Sequence, residues 1–440
     1  MANNWKKTTR GLSLKILESV LIDKAYSNIA LNHALNHTDL DSKDRALVTE
    51  LVYGTLSRKL TLEWYLSHYI KDRDKLDTWV YILLLMSVYQ ILYLDKIPEH
   101  AIVNESVSIA KNRGNKKGSE KFVNAVLRRF IASDRPDITS IKRRNKRLSI
   151  EYSTPVWLVS KLIEQYGEDR AINILESLFT RSKASLRVID MANKEELKET
   201  FHLIISEIAP TALVSPSGNF SQTDAFINGL VTIQDESSQL VAHYVSPSED
   251  DIILDACSAP GGKTTHMASY LKKGQVIALD LHGHKLRLVE ENAKRLGVSE
   301  VISTKQMDAR LVHNYFKQDR FDKILVDAPC SGIGLIRRKP EIKYQKNLMD
   351  LSELQVIQLE ILSSVCQTLK KGGIITYSTC TIFDEENKQV IEKFLELHPN
   401  FVQIELTHPK EDLIKDGCVV LTPELYQTDG FFIAQMKRVF

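Results

Sequence analysis

The chain has 440 residues, of which 43% are hydrophobic and 26% charged, with a formal net charge of +2. This length exceeds what a single core supports, so two or three domains are expected. The composition is that of a globular protein and excludes a disordered or fibrous chain. The longest apolar stretch, residues 79–94, is shorter than the ~20 residues of a membrane span, which predicts a buried helix.

Cysteine usage predicts a reducing environment. The five cysteines are odd in number and lack Cys-x-x-Cys spacing, so neither a disulfide framework nor a metal centre is expected. The first ten residues contain no apolar core, so no signal peptide is expected. We therefore expect a cytoplasmic protein without a membrane or metal partner, acting as a monomer.

Basic residues are concentrated in one segment. Residues 111–147 hold 13 lysines and arginines against 3 acidic residues. Such a cluster is what phosphate binding requires, although a solvated helix face has the same composition. The candidate RNA-binding residues are Lys111, Arg113, Lys116, Lys117, Lys121, Arg143, Arg144 and Arg147.

The first part of the chain has the apolar periodicity of helices. Spacings of i, i+3 and i+4 predict an all-α bundle. The predicted helices are Leu12–Asn36, Ser42–Ile70, Leu76–Leu94, Glu99–Asn112 and Gly118–Ser133. Residues 134–150 are poor in large apolar side chains, which indicates a linker.

A small α+β module is predicted next. It contains a helix over Pro155–Thr180, a strand over Ser185–Ile189, a helix over Lys194–Glu207 and further strand-like stretches to Thr232. From Gln234 onward, apolar runs alternate with helical segments, which is typical of a parallel, doubly wound sheet.

A glycine turn follows the first of these runs. The strand over Ile252–Ala256 leads into Ala259-Pro-Gly-Gly-Lys263, where glycine lets a ligand approach the backbone. An ordinary tight turn has the same appearance. Asp280, at the end of the next strand, is placed to accept hydrogen bonds from ribose hydroxyls, and Asp308 is placed to contact the base. A nucleoside cofactor without a pyrophosphate is plausible, and S-adenosylmethionine fits.

Two cysteines follow buried strands of the same predicted sheet. Cys330 lies in Asp327-Ala-Pro-Cys330, and Cys380 ends Tyr377-Ser-Thr-Cys380. Carbon 5 of a pyrimidine becomes nucleophilic when a thiolate adds to carbon 6, so a strand-tip thiol favours this methyl acceptor. Asp327 is placed to bond the N3 or amino edge and so to favour cytosine. The alternative is that cysteine is a core residue, which we expect of Cys257, Cys366 and Cys418.

At these residues the chain resembles the Sun family of RNA cytosine-C5 methyltransferases. The matching motifs are Asp255–Thr264, Asp280, Asp308, Asp327–Gly332, Arg337–Pro340, Tyr377–Thr381 with Glu386 and Asn387, and Thr428–Phe432. The N-terminal part resembles the NusB-like RNA-binding domain at Glu50–Gly54, Ile97–Glu105 and Phe122–Arg129. In that family this pair of domains occurs in the bacterial 16S ribosomal RNA enzymes.

The resemblance implies the roles of individual residues. It implies that Cys380 is the nucleophile and that Cys330 assists product release, with Asp327 beside them. It also implies S-adenosylmethionine as the cofactor. The implied cofactor contacts are Cys257, Ser258, Ala259, Pro260, Gly261, Gly262, Lys263, Asp280, Asp308 and Asp327.

We therefore expect a multidomain protein. An all-α NusB-like bundle is predicted over residues 1–140, a linker with a small α+β RNA-binding module over 141–233, and an α/β Rossmann-like methyltransferase domain over 234–440. The expected function is methylation of carbon 5 of a cytosine in 16S ribosomal RNA, free or early in assembly. The alternatives are the same chemistry on transfer RNA or large-subunit RNA, and a non-catalytic RNA-binding assembly or antitermination factor.

Overall fold

A computed structural model of the protein describes residues 5–114, 118–216 and 218–440. The chain forms two compact units. The first unit extends to Phe179 and also contains Ile336–Gln345, whereas the second contains Thr180–Leu335 and Lys346–Phe440. No helix within the described residues is long and apolar enough to cross a membrane.

The helices, in chain order, have the following bounds: α1 Thr9–Leu21, α2 Ser27–Asn36, α3 Ser42–Ser57, α4 Lys59–Ser67, α5 Thr78–Tyr93, α6 Glu99–Arg113, α7 Ser119–Ala132, α8 Arg144–Glu151, α9 Val156–Tyr166, α10 Glu168–Ser177, α11 Lys194–Phe201, α12 Asp224–Ile227, α13 Glu236–Val245, α14 Gly262–Ala268, α15 Gly283–Arg295, α16 Val312–Tyr315, α17 Ile342–Gln345, α18 Leu348–Val365 and α19 Lys388–Leu397.

The strands, in chain order, have the following bounds: β1 Ala184–Val188, β2 Ile204–Ile205, β3 Ala212–Ser215, β4 Val231–Ile233, β5 Ile252–Asp255, β6 Gln275–Asp280, β7 Ile302–Gln306, β8 Phe321–Asp327, β9 Leu369–Thr379, β10 Phe401–Ile404, β11 Ile414–Lys415, β12 Cys418–Leu421 and β13 Phe431–Arg438.

The first unit is helical, as the sequence predicted. Residues 80–90 of α5 are all buried, because this helix is apolar on every side and lies at the centre of the bundle. Two long predicted helices are each divided by a contact with a distant part of the unit. Ser27 N–H, at the start of α2, donates to Glu341 (2.9 Å), and Leu60 N–H, at the start of α4, donates to Ser153 Oγ (2.9 Å).

Part of the predicted linker is helical. Helix α8 covers Arg144–Glu151, and its side chains Leu148 and Ile150 are buried. The prediction of a linker is wrong there, because two apolar residues suffice when a neighbouring helix covers them. Thr61 Oγ1 donates to the carbonyl of Ile150 (2.5 Å) and so ties α8 to α4. The predicted helix Pro155–Thr180 is also two helices, which meet at Gly167 with φ of 79°.

The second unit contains two sheets. The smaller is antiparallel with the order β2-β3-β1-β4, and its residues form the α+β module together with α11 and α12. The larger has the order β11-β12-β13-β9-β8-β5-β6-β7, with β10 paired to β13. Five neighbouring strands of this sheet, in the order β9-β8-β5-β6-β7, are parallel, as predicted. They have the topology of a Rossmann-like sheet.

The C-terminal strands correct the prediction of a wholly parallel sheet. Strand β13 runs antiparallel to β9 and to β12, because a loop rather than a crossover helix joins β12 to β13. Neighbouring side chains of the central strands lie in different core clusters, for example Ile253 and Leu254 of β5. The sheet is therefore covered on both faces, and the polar loops lie at the carboxyl ends of its parallel strands.

The predicted three-part division of the chain at residues 140 and 233 remains a prediction. In the structure, α8, α9 and α10 belong to the first compact unit, and β1 begins the second.

Candidate active site

Three adjacent parallel strands bring the predicted site residues together. Strand β8 lies between β5 and β9, with Asp255 opposite Leu325 and Asp327 opposite Ser378. The chain leaves these strands at the same edge of the sheet, where the glycine turn follows β5, Cys330 follows β8 and Cys380 follows β9. The structure thus places the two cysteines and the turn at one edge.

The turn after β5 is tied to the neighbouring strand. Ser258 donates to the carbonyl of Leu279 at the end of β6 through both its N–H (2.7 Å) and its Oγ (2.9 Å). Gly261 has φ of +100°, and a Cβ atom there would lie 2.9 Å from Cα of Val289 in α15. Glycine is therefore required at this position both by backbone conformation and by helix packing.

Asp255, the last residue of β5, is bonded to the helix that follows the turn. Its carboxyl group is fully buried and accepts a hydrogen bond from Thr264 Oγ1 at 2.7 Å. Burial raises the pKa of Asp255 to about 7, against the opposing effect of the Thr264 hydrogen bond. This carboxyl group therefore titrates near neutral pH.

Lys263 and Asp327 connect the turn to the thiol side of the site. Lys263 Nζ donates to Asp327 Oδ2 at 2.8 Å, and Ser378 Oγ donates to Asp327 Oδ1 at 2.8 Å. Burial alone would lower the pKa of Lys263, but Asp327, and more weakly Cys380 and Asp255, raise it above its ordinary value. The ammonium group of Lys263 therefore stays charged close to Asp327 and Cys380.

The two predicted catalytic thiols are in direct contact. Sγ of Cys330 lies 3.1 Å from Sγ of Cys380, and both side chains are half-buried. The hydrogen bond with Cys380, together with burial, raises the pKa of Cys330 well above its ordinary value. Cys330 is therefore protonated at neutral pH and can donate its hydrogen to the sulfur of Cys380.

A buried glutamate holds the two thiol loops together. Glu386 accepts hydrogen bonds from Ser331, through the N–H (2.7 Å) and the Oγ (2.6 Å), and its side chain is fully buried. Ser331 Oγ also contacts Thr381 Oγ1 at 2.9 Å, and Tyr377 OH donates to the Glu386 carbonyl at 2.7 Å. The residues that follow Cys330 and Cys380 are therefore fixed by one carboxylate.

The three remaining cysteines all lie in or against the hydrophobic core, as expected. Cys366 and Cys418 are buried in the hydrophobic core. Cys257 is half-buried at the start of the turn, and burial raises its pKa well above the ordinary value. Its thiol is therefore protonated, and its role as a cofactor contact remains a prediction.

The carboxylates of Asp280 and Asp308, the two predicted acidic contacts, differ in the hydrogen bonds that they already accept. Asp280 Oδ1 accepts a hydrogen bond from the N–H of His282 at 2.8 Å. Both carboxylate oxygens of Asp308 contact the guanidinium of Arg310, with Nη2 at 2.7 Å from Oδ2. Arg310 thereby lowers the pKa of Asp308, and a ligand at Asp308 has to share it with this arginine.

The basic candidates lie in the first unit and have different surroundings. Lys111, Lys121 and Arg143 are exposed. Arg113 instead donates two hydrogen bonds to Glu18, at 2.5 and 2.6 Å, and its guanidinium lies over the ring of Trp79. The other candidates are Arg144, which pairs with Glu168, Arg147, which is half-buried, and Lys116 and Lys117, which lie outside the described residues.

Two residues that shape the site were not predicted as site residues. Arg187 is buried in β1 and contacts the glycine turn, and Asp255 bonds Thr264. A charged residue within the apolar run Ser185–Ile189 was a visible signal for Arg187. Its partner in the turn is 75 residues away, so the signal did not indicate what it contacts.

Comparisons with known proteins agree with this geometry. Residues 242–437 match the family described as "16S rRNA methyltransferase RsmB/F", and residues 7–132 match the NusB family. The chain is 41% identical to the "Probable ribosomal RNA small subunit methyltransferase B" of Bacillus subtilis, covering 98% of this chain and 99% of the relative. It is 33% identical to the "Ribosomal RNA small subunit methyltransferase B" of Klebsiella pneumoniae, covering 98% of each.

Solved structures support the same assignment. The structure titled "Crystal Structure of PH0851" matches with a TM-score of 0.85 and 25% identity, and covers 98% of each chain. The "Methyltransferase Homolog Protein from Pyrococcus Horikoshii" matches with a TM-score of 0.58 and 26% identity, and covers 68% of this chain and all of that one. The fold and the site thus define a ribosomal RNA methyltransferase with a NusB-family helical domain. More specifically, the chain belongs to the family of ribosomal RNA small subunit methyltransferases B.

Proposed function

We propose that this protein methylates carbon 5 of a cytosine in 16S ribosomal RNA, with S-adenosylmethionine as the methyl donor. The observation that carries the proposal is the 3.1 Å contact between Cys330 and Cys380 beside the Gly261–Gly262 turn. A nitrogen acceptor would need no thiol, whereas carbon 5 needs a transient nucleophile at carbon 6. A pair of thiols, one to attack and one to assist release, suits that requirement.

The turn has the properties that a nucleoside cofactor requires. Gly261, with φ of +100°, and Gly262 carry no side chain, so a ligand can approach the backbone of the turn closely. Asp280, at the tip of the next strand, supplies a carboxylate for ribose hydroxyls. When bound, S-adenosylmethionine supplies a methyl group on a sulfonium. The proposed contacts are those of the predicted set from Cys257 to Lys263, with Asp280, Asp308 and Asp327.

The residues of the chain would carry out the remaining steps. Cys380, as a thiolate beside the Lys263 ammonium, adds to carbon 6 of the cytosine, and Asp327 bonds the N3 or amino edge. After methylation, a solvent water molecule takes the proton from carbon 5. The electron pair of that C–H bond restores the ring double bond, and the bond between Sγ of Cys380 and carbon 6 breaks with its electron pair on sulfur. Cys330 supports this step by donating its hydrogen to the departing Cys380 sulfur, which it already contacts.

Removal of each thiol tests the proposed roles. Cys380→Ala is expected to abolish methylation of 16S ribosomal RNA but to leave the calorimetric affinity for S-adenosylmethionine unchanged. Cys330→Ala is expected to accumulate a covalent protein–RNA adduct, seen as a band that resists denaturant. Cys366→Ala, a change at a buried core cysteine of the same unit, serves as the matched control.

Two outcomes would contradict the assignment. Turnover by Cys380→Ala would remove its role as the nucleophile, and normal product without an adduct in Cys330→Ala would remove the release role. Absence of cofactor binding by the unmodified protein would favour a non-catalytic RNA-binding factor. Bisulfite sequencing of ribosomal RNA from a deletion strain would identify the cytosine and separate 16S from other RNA substrates.

We also propose that the helical unit binds RNA through its exposed basic residues. Each neutralised phosphate releases counterions, so the double change Lys121→Glu with Arg143→Glu is expected to reduce the salt dependence of RNA affinity by about one unit of slope per lost contact. Arg113→Met is the control, because Glu18 already neutralises Arg113. An unchanged slope in the double variant would contradict the proposal. The cytoplasmic location and the monomeric state remain predictions.

A further inference from the structure

Arg187, in β1 of the small α+β module, is a charged side chain inside the protein. Its side chain is 1% exposed, and it is the largest of the fully buried side chains. Burial lowers its pKa to about 9, so the guanidinium still carries its charge at neutral pH. A buried cation is costly unless each of its donors is directed to an acceptor.

The three acceptors of Arg187 come from two segments, which are Gln234 and the first turn of α14. Nη1 donates to the carbonyl of Gly262 at 2.6 Å and to Gln234 Oε1 at 2.9 Å, and Nη2 donates to Thr265 Oγ1 at 3.0 Å. In the described part of the chain these partners are all neutral oxygens. The guanidinium is planar, so it fixes β1, Gln234 and the start of α14 relative to one another.

These contacts hold the glycine turn from its carbonyl side. Thr265 Oγ1, which accepts from Arg187, donates in turn to the carbonyl of Gly261 at 2.7 Å. Gln234 is itself fixed. Its side-chain Nε2 donates to Ser238, and its backbone carbonyl accepts from Nε2 of Gln239 (2.9 Å). The carbonyl of Gly262 is therefore bonded to Arg187 directly, and that of Gly261 is bonded to it through Thr265.

We propose that the small α+β module completes the cofactor site, with Arg187 as the positioning residue that holds the Gly261–Gly262 turn in its binding conformation. This inference rests on the proposed use of S-adenosylmethionine at that turn. It gives the module a role in cofactor affinity in addition to the RNA binding predicted for it.

Arg295 provides a matched control within the same unit. Its guanidinium also joins the module to the catalytic sheet region, by donating to the carbonyls of Phe226 (2.8 Å) and Val231 (3.2 Å) and to Thr232 Oγ1 (2.9 Å). It does so from the end of α15 and makes no hydrogen bond to the glycine turn within the described residues. Arg295 reaches the turn only indirectly, since it donates to Oδ1 of Asn292 (3.2 Å), whose Nδ2 donates to the carbonyl of Pro260 (3.1 Å). Loss of Arg295 should therefore weaken the attachment of the module more than it disturbs the turn.

The test compares the two arginines by calorimetry with S-adenosylmethionine and by thermal unfolding. Arg187→Met is expected to raise the cofactor Kd by about 10- to 100-fold, since charged hydrogen bonds of this kind are lost. Arg187→Lys is expected to raise it by about 10-fold, and saturating cofactor should restore kcat. Arg295→Met is expected to lower the unfolding temperature while changing the Kd by less than about twofold.

Each result either supports or overturns the positioning role of Arg187. An unchanged Kd in Arg187→Lys, or an equal loss of affinity in Arg295→Met, would show that Arg187 acts only in folding and would overturn the inference. If Arg187→Met does not fold, then Arg187→Lys and Thr265→Val, expected to raise the Kd by about threefold, give the same test. If the unmodified protein does not bind S-adenosylmethionine, the proposed function fails instead, which is a distinguishable outcome.

Discussion

The cofactor turn and the pair of thiol loops lie at the same edge of one sheet but are held by buried charges of opposite sign. On the turn, the Arg187 cation binds the carbonyl of Gly262. Between the thiol loops, the Glu386 carboxylate binds the N–H and hydroxyl of Ser331. The sign of each buried charge matches the backbone group that it meets. A cation binds an inward-facing carbonyl, and a carboxylate binds an inward-facing N–H.

The glycine turn and the thiol loops also have different proposed functions. In the proposed function, the turn contributes to cofactor affinity, whereas the thiol loops set the distance between the sulfur atoms of Cys330 and Cys380. Variants on the two sides should therefore fail in different assays, and three changes test this separation.

The largest effect is expected from Glu386→Ala. This change leaves the Ser331 donors buried without an acceptor and releases the two cysteine loops, and a misplacement of about 1 Å can lower turnover on the order of 100-fold. Single-turnover methylation at saturating cofactor measures the loss, and calorimetry should show an unchanged affinity for S-adenosylmethionine. Glu392→Ala, at an exposed acid on α19, is the control. A large loss of cofactor affinity in Glu386→Ala would break the separation.

A smaller effect is expected from Gly334→Ala. A Cβ atom there would lie 2.1 Å from the carbonyl oxygen of Gly430 and 2.8 Å from that of Cys380, so the Cys330 loop has to move. Overpacking of this kind costs about 1–3 kcal/mol, and the turnover number should fall by about 10-fold with the cofactor Kd unchanged. Gly297→Ala, where a Cβ atom meets nothing within 4 Å but φ is +71°, is the control; it should lower stability through backbone strain and keep normal turnover. Full activity in Gly334→Ala would mean that the loop tolerates displacement.

The smallest effect concerns pH and the cofactor side. The folded pKa of Asp255, about 7, lies above the ordinary value of an aspartate, about 4. Stability from its protonated form is therefore fully present below pH about 4 and is lost as pH rises through about 7. Asp255→Asn should flatten this decline in the free energy of unfolding of the second unit.

Urea unfolding from pH 5 to 8 measures this dependence. Circular dichroism follows both units, whereas tryptophan fluorescence follows the first unit, because all four tryptophans lie before residue 160. The variant should differ from the unmodified protein by circular dichroism and not by fluorescence. An identical pH dependence in the two proteins would show that Asp255 does not titrate in this range.

Much of the fold followed from local patterns. The helical region, the alternation of strands and helices, and the cysteines at strand tips were predicted, since apolar periodicity records which face of each element is buried. The pairing of β13 with β9 was not predicted, because the direction of a strand depends on the connection before it. The breaks before α2 and α4 were not predicted either, because they go with backbone N–H groups that donate to the distant side chains of Glu341 and Ser153.

The sequence by itself determined which chemical groups are available: two thiols, a glycine turn and acids at the ends of strands. Only the tertiary structure decided which of them meet, with Cys330 and Cys380 50 residues apart in the chain and 3.1 Å apart in space. The same holds for Arg187 and Glu386, whose roles depend on backbone groups of distant segments. A buried charge is stabilised by the acceptors and donors that folding brings to it, and local sequence carries no record of those partners.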